Sequence, residues 1–115
     1  MAITVELFNE GETLKDNGKY EEVIAKFNEA LAQDEAYALA HFALGVVCGR
    51  VGKHEDAVRH AERACELEPN EPFSYTALSV TYRNASQAAD NAHDNQRFIH
   101  LAEEAMARSH TVQQG

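Results

Sequence analysis

A set of residues recurs in this chain at a constant offset of thirty-four. Gly11, Gly18, Lys19, Glu21 and Ala30 return as Gly45, Gly52, Lys53, Glu55 and Ala64, and Phe8 returns as Phe42. Self-similarity at this period is the mark of a helical repeat array, in which each unit buries its apolar face only by stacking on its neighbours. The pattern therefore predicts an all-α fold whose work is the binding of partners.

Six helical segments follow from the periodicity. The first covers about residues 4–17, with Val5, Leu7, Phe8, Gly11 and Leu14 on its packing side. Asn17-Gly18 is a turn, because glycine takes positive φ without steric cost and asparagine tolerates it. Residues 20–33 carry Val23, Ile24, Phe27, Ala30 and Leu31 at three-and-four spacing. Asp34-Glu35 opens a second unit. Leu39, Phe42, Leu44, Val46, Val47 and Cys48 stand on its first helix, and Ala57, Val58, Ala61, Ala64 and Cys65 on its second. In Glu68-Pro69-Asn70-Glu71-Pro72, Pro69 stops a helix, Asn70 can cap the next, and Pro72 suits a first turn. The fifth helix covers about 73–87, and the sixth carries Phe98, Ile99, Leu101, Ala102, Ala105 and Met106. Residues 109–115 lack a periodic pattern and are expected to fray.

The 115 residues suit one domain, and 44% hydrophobic with 25% charged residues is ordinary for a globular chain. A formal net charge of −9 argues against nucleic acid or an anionic membrane surface as partner, since both require a surplus of Lys and Arg. The longest weakly polar stretch, residues 36–49, is interrupted by His41 and is too short to span a bilayer. The opening residues have no basic region and include Glu6, unlike a secretory signal, so the expected location is cytoplasmic. Cys48 lies close to the turn at Gly52 and Cys65 about a dozen residues beyond it. At ~1.5 Å per residue the offset is of order 10 Å, too far for a disulfide, and both are read as buried small hydrophobes.

These residues resemble the tetratricopeptide repeat, a thirty-four-residue helix–turn–helix. In the second unit the matching residues are Leu44-Gly45, Ala57, Ala64 and Pro69, with His41, Cys48 and Ala61 replacing the usual aromatics. In the first they are Leu7, Gly11, Leu14, Tyr20, Phe27 and Ala30, and in the third Tyr75, Leu78 and Tyr82. The last helix aligns only after a shift of seven residues, which sets Ala102, Glu103 and Ala105 against Ala61, Glu62 and Ala64. The resemblance implies a right-handed α-solenoid of three helix–turn–helix hairpins in a single domain over residues 1–115. Its repeats would span about 4–37, 38–71 and 72–112, the last with a seven-residue insertion. That insertion would lengthen both helices of the third unit by a turn and displace the turn to residues 88–95. Close helix contact needs small side chains, paired here as Gly45 with Ala57 and Gly11 with Val23. In the third unit Ser79 faces Phe98, which would wedge the pair apart or change its register.

By the same resemblance, the first helices line a concave groove that binds a peptide or helix of another protein. The candidate residues are Phe8, Glu12 and Lys15; Phe42, Val46 and Arg50; and Phe73, Thr76, Val80 and Arg83. Some family members clamp a partner's terminal carboxylates with Lys, Asn and Arg. The corresponding positions here are Phe8, Glu12, Ala43, Phe73 and Ala77, none of which donates a side-chain hydrogen bond. The expectation is instead an apolar groove, Phe8–Phe42–Phe73 with Val46 and Val80, fringed by Lys15, Arg50 and Arg83. The alternative is that these aromatics pack against one another between repeats and expose little.

Nothing in the sequence points to catalysis or a cofactor. There is no Cys-x-x-Cys, no His-Glu-x-x-His, no Gly-x-Ser-x-Gly and no phosphate-cradling glycine loop. Acidic pairs such as Glu21-Glu22 and Glu55-Asp56 suit solvated first turns of helices. Two other readings stay open: a self-associating structural module, possible as a homo-oligomer through the groove or the open end, and a metal-responsive module using His93, His100 and His110.

Overall fold

The two glycines at the predicted turns are the only residues at positive φ among those described, Gly18 at 76° and Gly52 at 85°. Each closes a first helix in the same way. The N–H of Gly18 reaches the Lys15 carbonyl at 3.0 Å and that of Lys19 the Leu14 carbonyl at 3.1 Å; Gly52 and Lys53 repeat this with Gly49 and Cys48 at 3.2 and 2.8 Å. This double bond pattern satisfies helix-end carbonyls and reverses the chain, and it needs a left-handed residue where the glycine stands.

The computed structural model describes residues 2–114 and is all-helical over them. The helices are α1 (Ala2–Asp16), α2 (Tyr20–Gln33), α3 (Ala38–Arg50), α4 (His54–Leu67), α5 (Pro72–Ala88) and α6 (Ala92–Gln114). Consecutive helices pair into three hairpins, and each hairpin packs on the next, α3 against α2 and α5 against both α3 and α4. The apolar interior is correspondingly divided. One cluster joins Phe8, Val23 and Phe27 to Leu44, Val47 and Ala57, and a second joins Ala61 and Cys65 to Tyr75, Leu78, Tyr82 and Ala102.

Small residues set the spacing within hairpins, one turn along from the expected pairs. A Cβ at Gly45 would meet the Ala61 Cβ at 3.4 Å and the Ala57 carbonyl oxygen at 3.5 Å, whereas one at Gly11 would strike the Phe27 ring at 2.5 Å. Phe27 and Ala61, which are equivalent positions, are therefore the facing residues, and Val23 is not the partner of Gly11.

The third hairpin departs from expectation in three places. Its turn is confined to residues 89–91, shorter than the 88–95 expected, because both helices extend into the insertion. No left-handed residue is used there. Asn91 Oδ1 instead accepts the Asp94 N–H at 2.8 Å while Asn91 Nδ2 donates to Asp94 Oδ2 at 3.0 Å, a reciprocal cap on α6. Phe98 does not wedge the pair: Ser79 Oγ donates to the Ala102 carbonyl at 2.9 Å, keeping the contact seen at Gly45–Ala61. The Phe98 ring lies to one side, stacked on Tyr82 at 6.2 Å with Arg97 4.4 Å above it. Residues 109–114, expected to fray, are helical. Ser109 is fully buried, its Oγ 2.9 Å from Thr76 Oγ1 and donating to the Pro72 carbonyl at 3.1 Å. Gly115 lies outside the described residues.

Candidate first-helix docking face

Side chains of α1, α3 and α5 at equivalent positions, thirty-four apart, form rows across the array. The row Phe8–Phe42–Thr76 turns inward. Phe8, only 8% exposed, stacks on Phe27 at 5.0 Å and meets Tyr37 edge-on at 5.7 Å. Phe42 is half-buried in a crevice with Ser74, Ala77 and Thr81 of α5. Thr76 donates to the Pro72 carbonyl at 3.2 Å. The neighbouring rows face outward: Leu39 and Phe73 are 51% and 74% exposed, and Val46 and Val80 are 46% and 44% exposed.

The expected line Phe8–Phe42–Phe73 thus mixes two rows. Phe73 is three residues ahead of the true equivalent of Phe42, which rotates it by about 60° on a helix of 3.6 residues per turn. Phe8 offers no ring to a ligand. On the second and third hairpins Leu39, Val46, Phe73 and Val80 form two equivalent exposed pairs, and Ile3 and Val5 are exposed on the first. The matching positions on α1 are Val5, which is exposed, and Glu12.

The fringe is less uniformly basic than its composition suggests. Lys15 is 3.1 Å from Glu12 and largely neutralised by it. Arg50 donates to the Tyr20 hydroxyl at 3.2 Å and lies over that ring at 5.7 Å. Arg83 is exposed and has no ion-pair partner among the described residues.

Sequence reasoning missed a polar network, centred on two buried histidines, that joins α3 to α4 and both to the α2–α3 connection. His41 and His60 are both buried, their Nδ1 atoms 3.1 Å apart. His41 Nε2 is 2.9 Å from the Glu35 carbonyl oxygen, which can only accept, so that nitrogen carries the hydrogen and His41 Nδ1 accepts from His60. Burial, then the repulsion that a protonated ring would meet at His41 and Arg59, pushes His60 down to about 4. Arg63 grips both carboxylate oxygens of Glu35 at 2.8 Å, which holds that carboxyl at about 2. The only signal in the sequence was His41 standing where an aromatic is usual.

Cys48 and Cys65 are free, buried thiols, and burial pushes both up, Cys65 to about 11. They lack the electropositive, accessible setting of reactive cysteines. A cleft of about 810 Å³ lies between the second and third hairpin turns. Three of its five acids are engaged: Glu62 accepts the Tyr82 hydroxyl at 2.5 Å, Asp56 pairs with Arg59 and Asp94 caps α6. Among the described residues no three His, Cys, Asp or Glu side chains are grouped to hold a metal ion, and no helix is long and apolar enough to cross a membrane.

The hairpin geometry has counterparts among solved structures. A thermophilic TPR protein of Thermus thermophilus superposes with a TM-score of 0.82 at 17% identity, over 95% of this chain and 56% of that one. The second TPR domain of Spaghetti (RPAP3), bound to the HSP90 peptide SRMEEVD, superposes with a TM-score of 0.79 at 15% identity, over 96% and 92% of the two chains. At such identities the likeness concerns the fold. A curated relative, the rhomboid protease GluP of Bacillus subtilis (strain 168), is 36% identical over 76 residues, which are 66% of this chain and 15% of that protein. The chain therefore spans only a small part of that relative's length. Two family models match directly, one described as TPR repeat over residues 11–52 and one as tetratricopeptide repeat over residues 38–71. With its three stacked hairpins and these matches, the chain belongs to the tetratricopeptide repeat family, a family of protein-interaction modules.

Proposed function

We propose that this chain is a non-enzymatic adaptor that holds the apolar side of a partner's helix or peptide against the outward rows of α3 and α5. The observation that carries this reading is the exposure of Leu39, Val46, Phe73 and Val80 at equivalent positions on adjacent helices. Large contiguous apolar surface on a folded chain marks interaction sites, and an aromatic anchor flanked by aliphatic side chains is the usual make-up of a binding hot spot. Covering the exposed part of Phe73 alone is worth about 1–2 kcal/mol.

The positions at which some family members clamp a terminal carboxylate are unsuited to it here. Phe8 and Ala43 are buried, Glu12 is itself an anion, and Phe73 and Ala77 have no donor. The peptide-bound Spaghetti domain thus supports a peptide or helix as ligand, while the residues of this chain favour an apolar one. The experiment is fluorescence polarisation of a library of labelled amphipathic helical peptides against the wild-type chain and Phe73→Glu. A ligand of this face loses about tenfold or more in affinity to the substitution, which leaves thermal stability within ~0.5 kcal/mol because the ring packs on little. Equal affinity for both proteins would remove α3 and α5 from the reading. Phe42→Glu is the poorer test, since a charge there enters the crevice between α3 and α5. Self-association through the same surface is the second reading, and light scattering over a concentration series separates it from an adaptor that is monomeric alone.

A further inference from the structure

The second hairpin contains a filled version of a cleft that the third leaves open. α5 lies against α4 through Tyr75, Leu78 and Tyr82, which pack on Ala61 and Cys65 with Val58 beside them. At the rim Glu62 accepts the Tyr82 hydroxyl. The α6 residues equivalent to Val58, Ala61, Glu62 and Cys65 are Ile99, Ala102, Glu103 and Met106, and on α5 Ser79 replaces Gly45. Together with Arg83 they line an open cleft of about 370 Å³. Cys65 is sealed beneath α5, whereas Ile99 is 36% exposed and Met106 half-buried. Glu103 is exposed and engaged by no side chain among the described residues.

We propose that this α5/α6 cleft is a docking site for one amphipathic helix of a partner protein that carries the pattern of α5 itself. That pattern is apolar residues at i and i+3 and a tyrosine at i+7 whose hydroxyl donates to Glu103. The filled interface supplies the argument directly, since an identical alanine and glutamate, flanked by apolar side chains at the equivalent positions, already hold such a helix one hairpin earlier. Continuing the stack buries Ile99 and Met106 and gives Glu103 the partner that Glu62 has. Arg83, standing where the second hairpin has Gly49, adds a cation to the opposite rim and selects an acidic residue on that flank of the helix.

A second copy of the chain is a poor occupant. On α1 the positions matching Tyr75, Leu78 and Tyr82 are Leu7, Glu10 and Leu14, so head-to-tail stacking would bury the Glu10 carboxylate that now pairs with Lys26 at 3.0 Å. Two copies meeting cleft to cleft would oppose two concave surfaces, leaving both unfilled.

The test uses the full chain, isotopically labelled, and a side-chain-stapled peptide with the sequence of residues 72–88. Amide shift changes are expected at Ile99, Glu103 and Met106. Glu103→Ala in the protein and Tyr82→Phe in the peptide each weaken binding about tenfold, and together scarcely more than either alone, as for a hydrogen bond to a charged group. Phe73→Glu leaves this binding unchanged, which separates it from the face proposed above. Absence of binding at millimolar peptide, or shifts confined to Leu39, Val46 and Phe73, would overturn the assignment. So would shifts at Val58 and Cys65, which signal exchange with α5. Concentration-dependent dimers abolished by Met106→Glu would give the cleft to a second copy and overturn it equally.

Discussion

Lowering the pH from 7 to 5 should weaken this fold through one imidazole, and the amount can be worked from its surroundings. His60 is 8% exposed, with Nδ1 committed to His41, so a second proton would place a charge in the hydrophobic seam between α3 and α4. The groups around it are His41 on α3, Asp56 and Arg59 on its own helix and, beyond His41, Glu35 and Arg63. Its folded value of about 4 lies below the ordinary 6.5, so the unfolded chain takes up the proton first. The stability conferred by the neutral ring is complete above about pH 7, falls as the pH drops through 6.5, and stops falling near 4, with about 2 kcal/mol lost at pH 5 and about 3 kcal/mol in all. Urea unfolding at pH 7 and pH 5 measures the drop, and His60→Gln isolates it, since the amide keeps a partner for His41 without titrating. The variant should lose about 2 kcal/mol less than the wild type over this interval. Equal losses in the two proteins would refute the reasoning, because the acid sensitivity would then arise elsewhere.

Three further substitutions probe the hairpin contacts. Gly11→Ala would set a methyl 2.5 Å from a Phe27 ring that is fully buried and stacked on Phe8, and should cost about 1–3 kcal/mol by thermal melt, whereas Gly45→Ala, with 3.4 Å to Ala61, should be close to neutral. Ser109→Ala removes the link from α6 to Thr76 and Pro72 and should cost about 1 kcal/mol, with faster amide exchange over residues 109–114 as its local signature.

What was legible in the sequence was what local chemistry decides. Gly18 and Gly52 announce left-handed turns whatever surrounds them, and the bounds of α2 follow from its apolar spacing alone. Which of two neighbouring rows an aromatic joins is a tertiary matter. Phe8 is buried because Phe27 and Tyr37, distant in sequence, offer it ring faces, while Phe73 near the start of α5 has no such cover. The histidine pair escaped notice for the same reason: nineteen residues separate its members, and neither side chain alone predicts a buried contact. The end of α6 looked unstructured because its residues show no apolar period, yet the small side chain of Ser109 is what lets it lie against the start of α5.

The third hairpin reverses direction without a left-handed residue, relying on the Asn91–Asp94 clasp and on Asn95, whose Nδ2 donates to the Ser86 carbonyl across the turn at 2.8 Å. Its bend consequently imposes no handedness on whatever sequence occupies it. Extra loop residues, a cleavage site or a reporter tag could be spliced in there with little harm to the array, whereas the same graft at Gly18 or Gly52 would break the closure of a helix.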